Sequence, residues 1–201
     1  MSPAQIDRFF RALAKTLDEP TTVILTGAAA GSLWGHVRPS LDIDFAIRPA
    51  RRSPRAWTRI EQAIARASRL TGIAVNFAED IDRWSAVTYL DYRTHTRPYR
   101  KFGRLEVRLL APAYWSIGKI TRYWESDSQD LVKVLARQRV APSALARLWA
   151  RAIRASPRAP ELTECRRHAE HFFLTFGARV WGPSFQPERT ISQFHRALAQ
   201  K

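Results

Sequence analysis

Residues 25–45 read LTGAAAGSLWGHVRPSLDIDF, and this stretch says most about the fold. An apolar run ends at Gly27, where small residues permit a close approach of the backbone. A short helix is predicted over 28–35, and its first backbone N–H groups would face a phosphate. Asp42 and Asp44 then stand one residue apart within a second apolar run. A metal-dependent phosphoryl-transfer site requires this order of strand, glycine turn, helix and acidic strand.

The Asp-x-Asp pair is predicted to lie on one face of its strand. Side chains alternate across a strand, so Asp42 and Asp44 emerge on the same side about 6.6 Å apart, while Leu41, Ile43 and Phe45 point into the core. Two carboxylates so placed are able to hold one or two Mg²⁺ ions. Alternatively, the pair is a turn acid or half of a solvated salt-bridge network. The segment before it is then a plain strand, turn and helix.

The same stretch resembles a known family. It is similar to the signature of the nucleotidyltransferase fold superfamily, which holds minimal nucleotidyltransferases, aminoglycoside nucleotidyltransferases and abortive-infection type toxins. The matching residues are Gly27, Ala30, Leu33, Gly35, Arg38, Asp42 and Asp44. Ala28 stands where the family has a second Gly or a Ser, which leaves Ser32 as the alternative hydroxyl. The resemblance implies a nucleotide-binding set of Gly27, Ala28, Ser32 and Arg38, and catalytic aspartates that hold Mg²⁺ or Mn²⁺.

A second resemblance lies downstream. The residues that resemble the Lys-x-x-Arg, acid, Asp segment of the toxin-like branch are Leu109, Pro112, Trp115, Lys119, Arg122, Asp127 and Asp130. Lys119 and Arg122 are three apart and share one side of a predicted helix, and Asp127 and Asp130 form a polar stripe on the next. The resemblance implies that Lys119 is catalytic and contacts the nucleotide phosphates, with the other three residues completing the nucleotide site. The alternative is a surface Lys/Arg face paired with helix acids.

The third carboxylate of the metal site has two candidates. Asn76 occupies the polar position of the strand after Asp44, but its amide brings no charge to offset two cations. Glu106 lies on a predicted strand, on the face opposite Leu105 and Val107, and is our choice for the third metal ligand. The alternative for Glu106 is a cross-strand salt bridge.

Length and patterning predict an α+β fold. The 201 residues, 45% of them hydrophobic, are enough for one core domain with a helical extension. We expect a small mixed β-sheet nucleotidyltransferase core flanked by helices over 1–112, and a helical C-terminal region over 113–201 packed on it. Predicted strands are 22–26, 41–47, 73–78, 86–91 and 104–110, and Thr190 is predicted to cap the last helix.

Nothing in the sequence predicts a membrane or secretory protein. There is no apolar run near 18 residues and no charged-then-apolar start with a small-residue cleavage site. The expected location is therefore the cytoplasm. The lone Cys165 has no partner for an internal disulfide and is expected to be an ordinary helix residue.

Charge is the other strong global feature. Lys and Arg number 33 against 18 Asp and Glu, for a formal net charge of +15 and a pI near 11.2. Such a surface attracts polyanions. The excess is concentrated in 45–60, 92–105 and 131–160, with Trp57, Tyr92 and Tyr99 interleaved as stacking candidates. The alternative is a chain in which arginine covers every solvated face.

Two hypotheses of different class follow. The first is a Mg²⁺-dependent nucleotidyltransferase that moves a nucleoside monophosphate from an NTP to a hydroxyl of RNA, and the resemblance implies the 3′ end of tRNA and a toxin with a cognate antitoxin. A cationic aminoglycoside acceptor is disfavoured by the basic surface. The second is a nucleotidyltransferase-like domain of weak or lost turnover that binds nucleic acid or a protein partner.

Overall fold

The chain forms an α+β fold with a mixed sheet and a helical C-terminal part, as the sequence predicts. The computed structural model describes residues 1–35 and 40–200. Its contacts group the chain into two compact units. The first unit holds Met1–Ile81 and Arg93–Leu110, and the second holds Asp82–Tyr92 and Ala111–Lys201. The boundary at residue 112 stays a prediction.

The first unit contains a five-stranded mixed sheet in the order β3-β2-β1-β5-β4. Strands β1 and β2 run antiparallel, as do β4 and β5, whereas β1 with β5 and β2 with β3 run parallel. The elements are α1 (Pro3–Ala14), β1 (Thr21–Leu25), α2 (Gly27–Leu33), β2 (Asp42–Pro49), α3 (Pro54–Thr71), β3 (Ala74–Ala78), β4 (Thr96–Phe102) and β5 (Leu105–Leu110).

One face of this sheet packs against α1. The helix begins at Pro3 because Ser2 and Gln5 form a capping box. Its apolar stripe contacts the sheet through Phe45 of β2, whose ring centroid lies 6.0 Å from that of Phe9 and 5.6 Å from that of Phe10. Phe45 therefore points toward α1. Its neighbours in the strand point to the opposite face of the sheet.

The second unit is helical and has an aromatic core. Its helices are α4 (Pro112–Arg122), α5 (Glu125–Arg137), α6 (Pro142–Ala155), α7 (Glu161–Trp181) and α8 (Pro187–Ala199). Trp149 of α6 packs on Phe172 and Phe173 of α7, with ring centroids 5.7 and 5.3 Å away. Its indole N–H donates to the hydroxyl of Ser116 at 2.9 Å, so the polar atom of the buried ring has a hydrogen-bond partner.

The strand predicted over 86–91 is wrong. This segment lies between two 3₁₀ turns, Ile81–Trp84 and Tyr92–Thr94, and Asp82 organises it by accepting from the Tyr89 N–H at 2.7 Å and the Thr88 hydroxyl at 3.0 Å. Its Val and Tyr side chains are buried in the second unit. The strand that the sequence did not predict is β4. It lies at the edge of the sheet and is rich in arginine and lysine, a composition that suits an edge strand.

Two smaller expectations also fail. The sequence predicts Leu41 in the core, but this residue is 90% exposed, because β2 begins one residue later at Asp42. Thr190 does not cap the last helix, which begins earlier at Pro187 with Gln186 as the N-cap. A proline at the first helical position needs no partner for its missing N–H, and this favours the earlier start.

Among the described residues, no helix is both long and apolar enough to cross a bilayer.

Candidate active site

Asp42 and Asp44 lie on the face of β2 that points away from α1. Phe45 marks the α1 face, and alternation places Asp44 and Asp42 together on the other. Strand β3 runs parallel beside them and pairs Asp44 with Asn76 in register. Residues directly opposite each other on neighbouring strands share a face. The sheet thus brings two carboxylates and one carboxamide onto the same patch of surface.

Asn76 bridges the two aspartates. Its side-chain Nδ2 donates to Asp42 Oδ2 at 2.8 Å and to Asp44 Oδ1 at 3.0 Å. The two carboxylates therefore converge on one point, where a neutral amide group now stands. The Ser40 hydroxyl donates to Asp42 Oδ1 at 3.2 Å and fixes the outer side of that carboxylate. Sequence reasoning did not select Ser40, although a serine two residues before an aspartate is a typical local hydrogen-bonding arrangement.

Gly27 packs directly on Asp44. Its φ is +62°, a left-handed conformation that L side chains rarely adopt. A Cβ at this position would lie 1.9 Å from Asp44 Oδ2, which no side chain tolerates. The adjacent Thr26 N–H donates to the Asp44 carbonyl at 2.9 Å. The predicted glycine turn and the predicted acidic strand are therefore in contact, and glycine is required at residue 27 for two separate reasons.

Two of the other predicted nucleotide residues of this unit are buried residues of α2. Ala28 is buried, and the buried Ser32 hydroxyl donates to the Ala29 carbonyl at 2.7 Å within its own helix. A role of Ser32 in nucleotide binding stays a prediction. Arg38 lies outside the described residues.

The structure does not bring Glu106 to the aspartates. Through β1, the register aligns Glu106 with Thr22 and Arg48, four residues along β2 from Asp44. Glu106 is on the same face, but about 13 Å along the strands and about 10 Å across them. Its carboxylate instead accepts from Arg108 Nη1 at 2.6 Å. The structure therefore contains a salt bridge at Glu106, but it lies within β5 and not across two strands as the alternative predicts.

Lys119, Arg122, Asp127 and Asp130 come together in the second unit, at the contact between α4 and α5. Lys119 Nζ donates to Asp127 Oδ1 and to Asp130 Oδ2, both at 2.8 Å. Arg122 donates to both oxygens of Asp127 at 2.7 Å in a bidentate pair. Lys119 is 4% exposed, and both carboxylates are more deeply buried. The buried Lys119 and the more exposed Arg122 thus pair with these two buried carboxylates.

The charges of this cluster set the ionisation of Asp127. Burial by itself would raise the pKa of the Asp127 carboxyl, because it disfavours the charged form. The hydrogen bonds from Arg122 and Lys119, together with their positive charges, outweigh burial and lower that pKa. Asp127 is therefore held as a carboxylate by its partners.

The aromatic side chains proposed for base stacking are not gathered at the aspartates. Trp57 packs on Phe77, with ring centroids 6.1 Å apart, on the α1 face of the sheet. The Tyr99 hydroxyl donates to Asp7 of α1 at 2.8 Å, and burial together with this bond raises the pKa of Tyr99 to about 12. Tyr92 is buried in the second unit.

A scan of protein-family models found no match to this chain, and neither did searches of curated proteins and of solved structures. Inference about the site therefore depends on its own geometry. That geometry consists of two convergent carboxylates, a bridging amide and a glycine turn held against one of the acids.

Proposed function

We propose that this chain is a metal-dependent nucleotidyltransferase. It would transfer a nucleoside monophosphate from an NTP to a hydroxyl acceptor, with RNA as the acceptor. The observation that supports this most is the convergence of Asp42 Oδ2 and Asp44 Oδ1 on the single nitrogen of Asn76. Two carboxylates whose oxygens converge on one point repel each other, and a cation bound between them offsets that repulsion. Such an arrangement is expected where a cation binds during function.

The donor set suits Mg²⁺ or Mn²⁺. Carboxylate and amide oxygens are hard ligands, which these ions prefer. Asp42 and Asp44 would hold the ion, and a half-turn of the Asn76 amide would add its oxygen. When bound, the metal charge stabilises the oxyanions that develop during displacement at phosphorus. Glu106 is too distant along the sheet to join this set, so we propose a site of two acids and one amide.

The surrounding residues would hold the aspartates in place. Gly27 fixes the inner side of Asp44, Ser40 fixes the outer side of Asp42, and Asn76 sets the spacing between the two. In the reaction, the acceptor oxygen forms a bond to the α-phosphorus and releases its proton. The bond from that phosphorus to the bridging oxygen breaks, and pyrophosphate leaves with the electron pair. Positioning of this kind supplies much of the rate of phosphoryl transfer.

RNA is the acceptor that the charge of the chain favours. A formal charge of +15 attracts a polyanion and repels a cationic acceptor such as an aminoglycoside. Lys119 is already paired with Asp127 and Asp130, an arrangement that stabilises the helical unit. A contact of Lys119 with nucleotide phosphates stays a prediction. The tRNA acceptor, the toxin role, the antitoxin partner and the cytoplasmic location are likewise predictions.

The direct experiment is nucleotide transfer. Purified protein is incubated with Mg²⁺, each α-labelled NTP in turn and total RNA, beside Asp42→Asn and Asp44→Asn. We expect label in a defined RNA band from the parent protein and a fall of about 1000-fold or more in both variants, because each loses a metal ligand. Glu61→Gln, an exposed acid on α3, is the matched control and should retain transfer.

The binding-module alternative is favoured by one observation, namely that Asn76 is neutral where a third acid would strengthen metal binding. It predicts no label with any NTP, and salt-sensitive RNA binding that is the same in the parent protein and both aspartate variants. Label in RNA from the parent protein alone would exclude it.

A further inference from the structure

A cationic groove lies on the same sheet face as the aspartates. It has a volume of about 640 Å³ and is lined entirely by residues of the first unit. Its floor includes Ile24 and Ala46, and two acids, Glu79 and Glu106, lie on its walls. The cations that line it are Arg48, Arg93, Lys101, Arg104 and Arg108.

The strand register shows how this groove crosses the sheet. Thr22 is aligned with Arg48 on β2 and with Glu106 on β5, and Glu106 is aligned with Lys101 on β4. These four residues form one row across four strands, and residues in register share a face. Arg48 is four positions from Asp44 on β2, so the row lies on the aspartate face about 13 Å from that residue.

The cations of the groove differ in their partners. Arg108 donates to Glu106 and to the Thr96 hydroxyl, and Arg104 donates to the Asp18 carbonyl. Arg48 and Lys101 are both exposed, and no hydrogen bond or ion pair joins either one to the residues that the structure describes. We call the cavity the Arg48–Lys101 groove after these two, which stand at the two ends of the row.

The spacing of the two cations decides what kind of anion they suit. Arg48 and Lys101 are separated by three inter-strand steps, or about 14 Å. Because the two side chains start about 14 Å apart, they are able to contact successive phosphates of one RNA strand. The same RNA strand would extend along β2 toward Asp44. The carboxylates at one end and the cations at the other then fit the reactive end and the backbone of one polynucleotide.

We infer that the Arg48–Lys101 groove binds the sugar–phosphate backbone of a single-stranded RNA acceptor whose reactive hydroxyl lies at Asp42 and Asp44. This inference rests on the proposed function, because it assigns that reaction its acceptor site. Binding is independent of base sequence, since the groove presents cations over an apolar floor. The RNA strand passes over Thr22, which lies between Arg48 and Lys101 in the row.

The test uses the full chain and a fluorescein-labelled single-stranded oligoribonucleotide of mixed sequence, without NTP. Arg48→Gln/Lys101→Gln is compared with Arg55→Gln/Arg66→Gln, which removes the same charge from the exposed surface of α3. We expect the groove variant to bind about tenfold more weakly at moderate salt. The slope of log affinity against log salt should fall by about 0.7 for each phosphate that the variant no longer neutralises. The α3 variant should change neither quantity appreciably.

Two outcomes would overturn the inference. One is equal affinity and equal salt slope for the groove and α3 variants. The other is competition by tripolyphosphate that disappears in the groove variant while RNA binding is kept, because this would assign the groove to nucleotide phosphates.

Failure of the proposed function gives a different result. A chain that transfers no label from any NTP, yet loses RNA binding in the groove variant, keeps the groove as an RNA-binding surface and rejects the transferase. In an active chain, the groove variant should raise KM for RNA and leave KM for the NTP unchanged.

Discussion

Two pairs of aspartates in this chain differ sharply in their surroundings. Asp127 and Asp130 are buried in the helical unit and receive direct hydrogen bonds from Lys119, with Arg122 completing the balance of charge. Asp42 and Asp44 lie on a sheet face, and the hydrogen bonds that join them come from the neutral Asn76. A buried carboxylate requires a paired cation, whereas a carboxylate on a partly exposed sheet face is also able to receive a cation from solution. The first pair is therefore suited to holding helices together, and the second to receiving a cation.

The largest expected effect on stability comes from breaking the buried pair. Lys119→Met leaves two buried carboxylates without their shared cation. We expect the free energy of unfolding to fall by about 3–5 kcal/mol. Urea denaturation followed by circular dichroism measures this loss. Lys133→Met, which removes an exposed lysine from α5, is the matched control and should change stability little. Equal stability of the two variants would mean that the cluster does not hold α4 to α5.

Gly27→Ala tests the surroundings of the sheet pair, Asp42 and Asp44. The added Cβ would meet the Asp44 carboxylate, so the aspartate must move. A displacement of about 1 Å at a reacting centre costs about 100-fold in rate, and we expect transfer to fall by at least that much.

Gly72→Ala is the control for Gly27→Ala. Gly72 also has a positive φ, +67°, but nothing lies within 4 Å of its Cβ position. Both variants should lose about 1 kcal/mol of stability from backbone strain, Gly27→Ala should lose more because its Cβ displaces Asp44, and only Gly27→Ala should lose activity. Equal activity of the two variants would mean that the glycine turn has no role in the reaction.

Asn76→Asp is expected to have a smaller effect in the opposite direction. It adds a third carboxylate to the patch, which should raise Mn²⁺ affinity about tenfold because another charge offsets the ion. Asn76→Ala removes the amide without adding charge and should not raise it. Titration calorimetry with Mn²⁺ measures both. An unchanged affinity in Asn76→Asp would mean that the convergence of the carboxylates does not mark a metal site.

The smallest expected effect is a pH dependence of the buried pair. The pKa of Asp127 is lowered in the folded chain, so the unfolded chain binds its proton at higher pH. The stabilisation is present above the unfolded value of about 3.9 and is lost as pH falls through the lower, folded value. The thermal midpoint should therefore drop more steeply below about pH 4 in the parent protein than in Asp127→Asn. Parallel curves would contradict this assignment.

Local features of the sequence predicted much of the fold. The apolar run, glycine turn and acidic strand form β1, α2 and β2, because each depends on short-range periodicity and on one special backbone position. The strand over 86–91 failed for a non-local reason. Val87 and Tyr89 are residues that favour a strand, but in the structure their side chains are buried in the second unit. The charged edge strand β4 has no apolar periodicity by which to recognise it.

The site was predictable only in part. Asp42 and Asp44 follow from spacing within one strand, and Gly27 from the end of the preceding run. The bridge by Asn76 depends on which strands are neighbours, and the distance of Glu106 depends on register across β1. Neither is encoded within a short window. Lys119 and its acids were placed correctly on helices, and their pairing was the stated alternative, but that alternative put them on the surface, whereas Lys119 and both acids are buried.

The central claim is that Asp42 and Asp44 bind a divalent cation together. The most direct measurement is Mn²⁺ binding followed by electron paramagnetic resonance, in the presence of a non-hydrolysable NTP, for the parent protein, Asp44→Asn and Glu106→Gln. We predict bound Mn²⁺ in the parent protein and in Glu106→Gln, and loss of most of the bound signal in Asp44→Asn. Equal binding in the parent protein and Asp44→Asn, or no binding in any of the three, would contradict the claim.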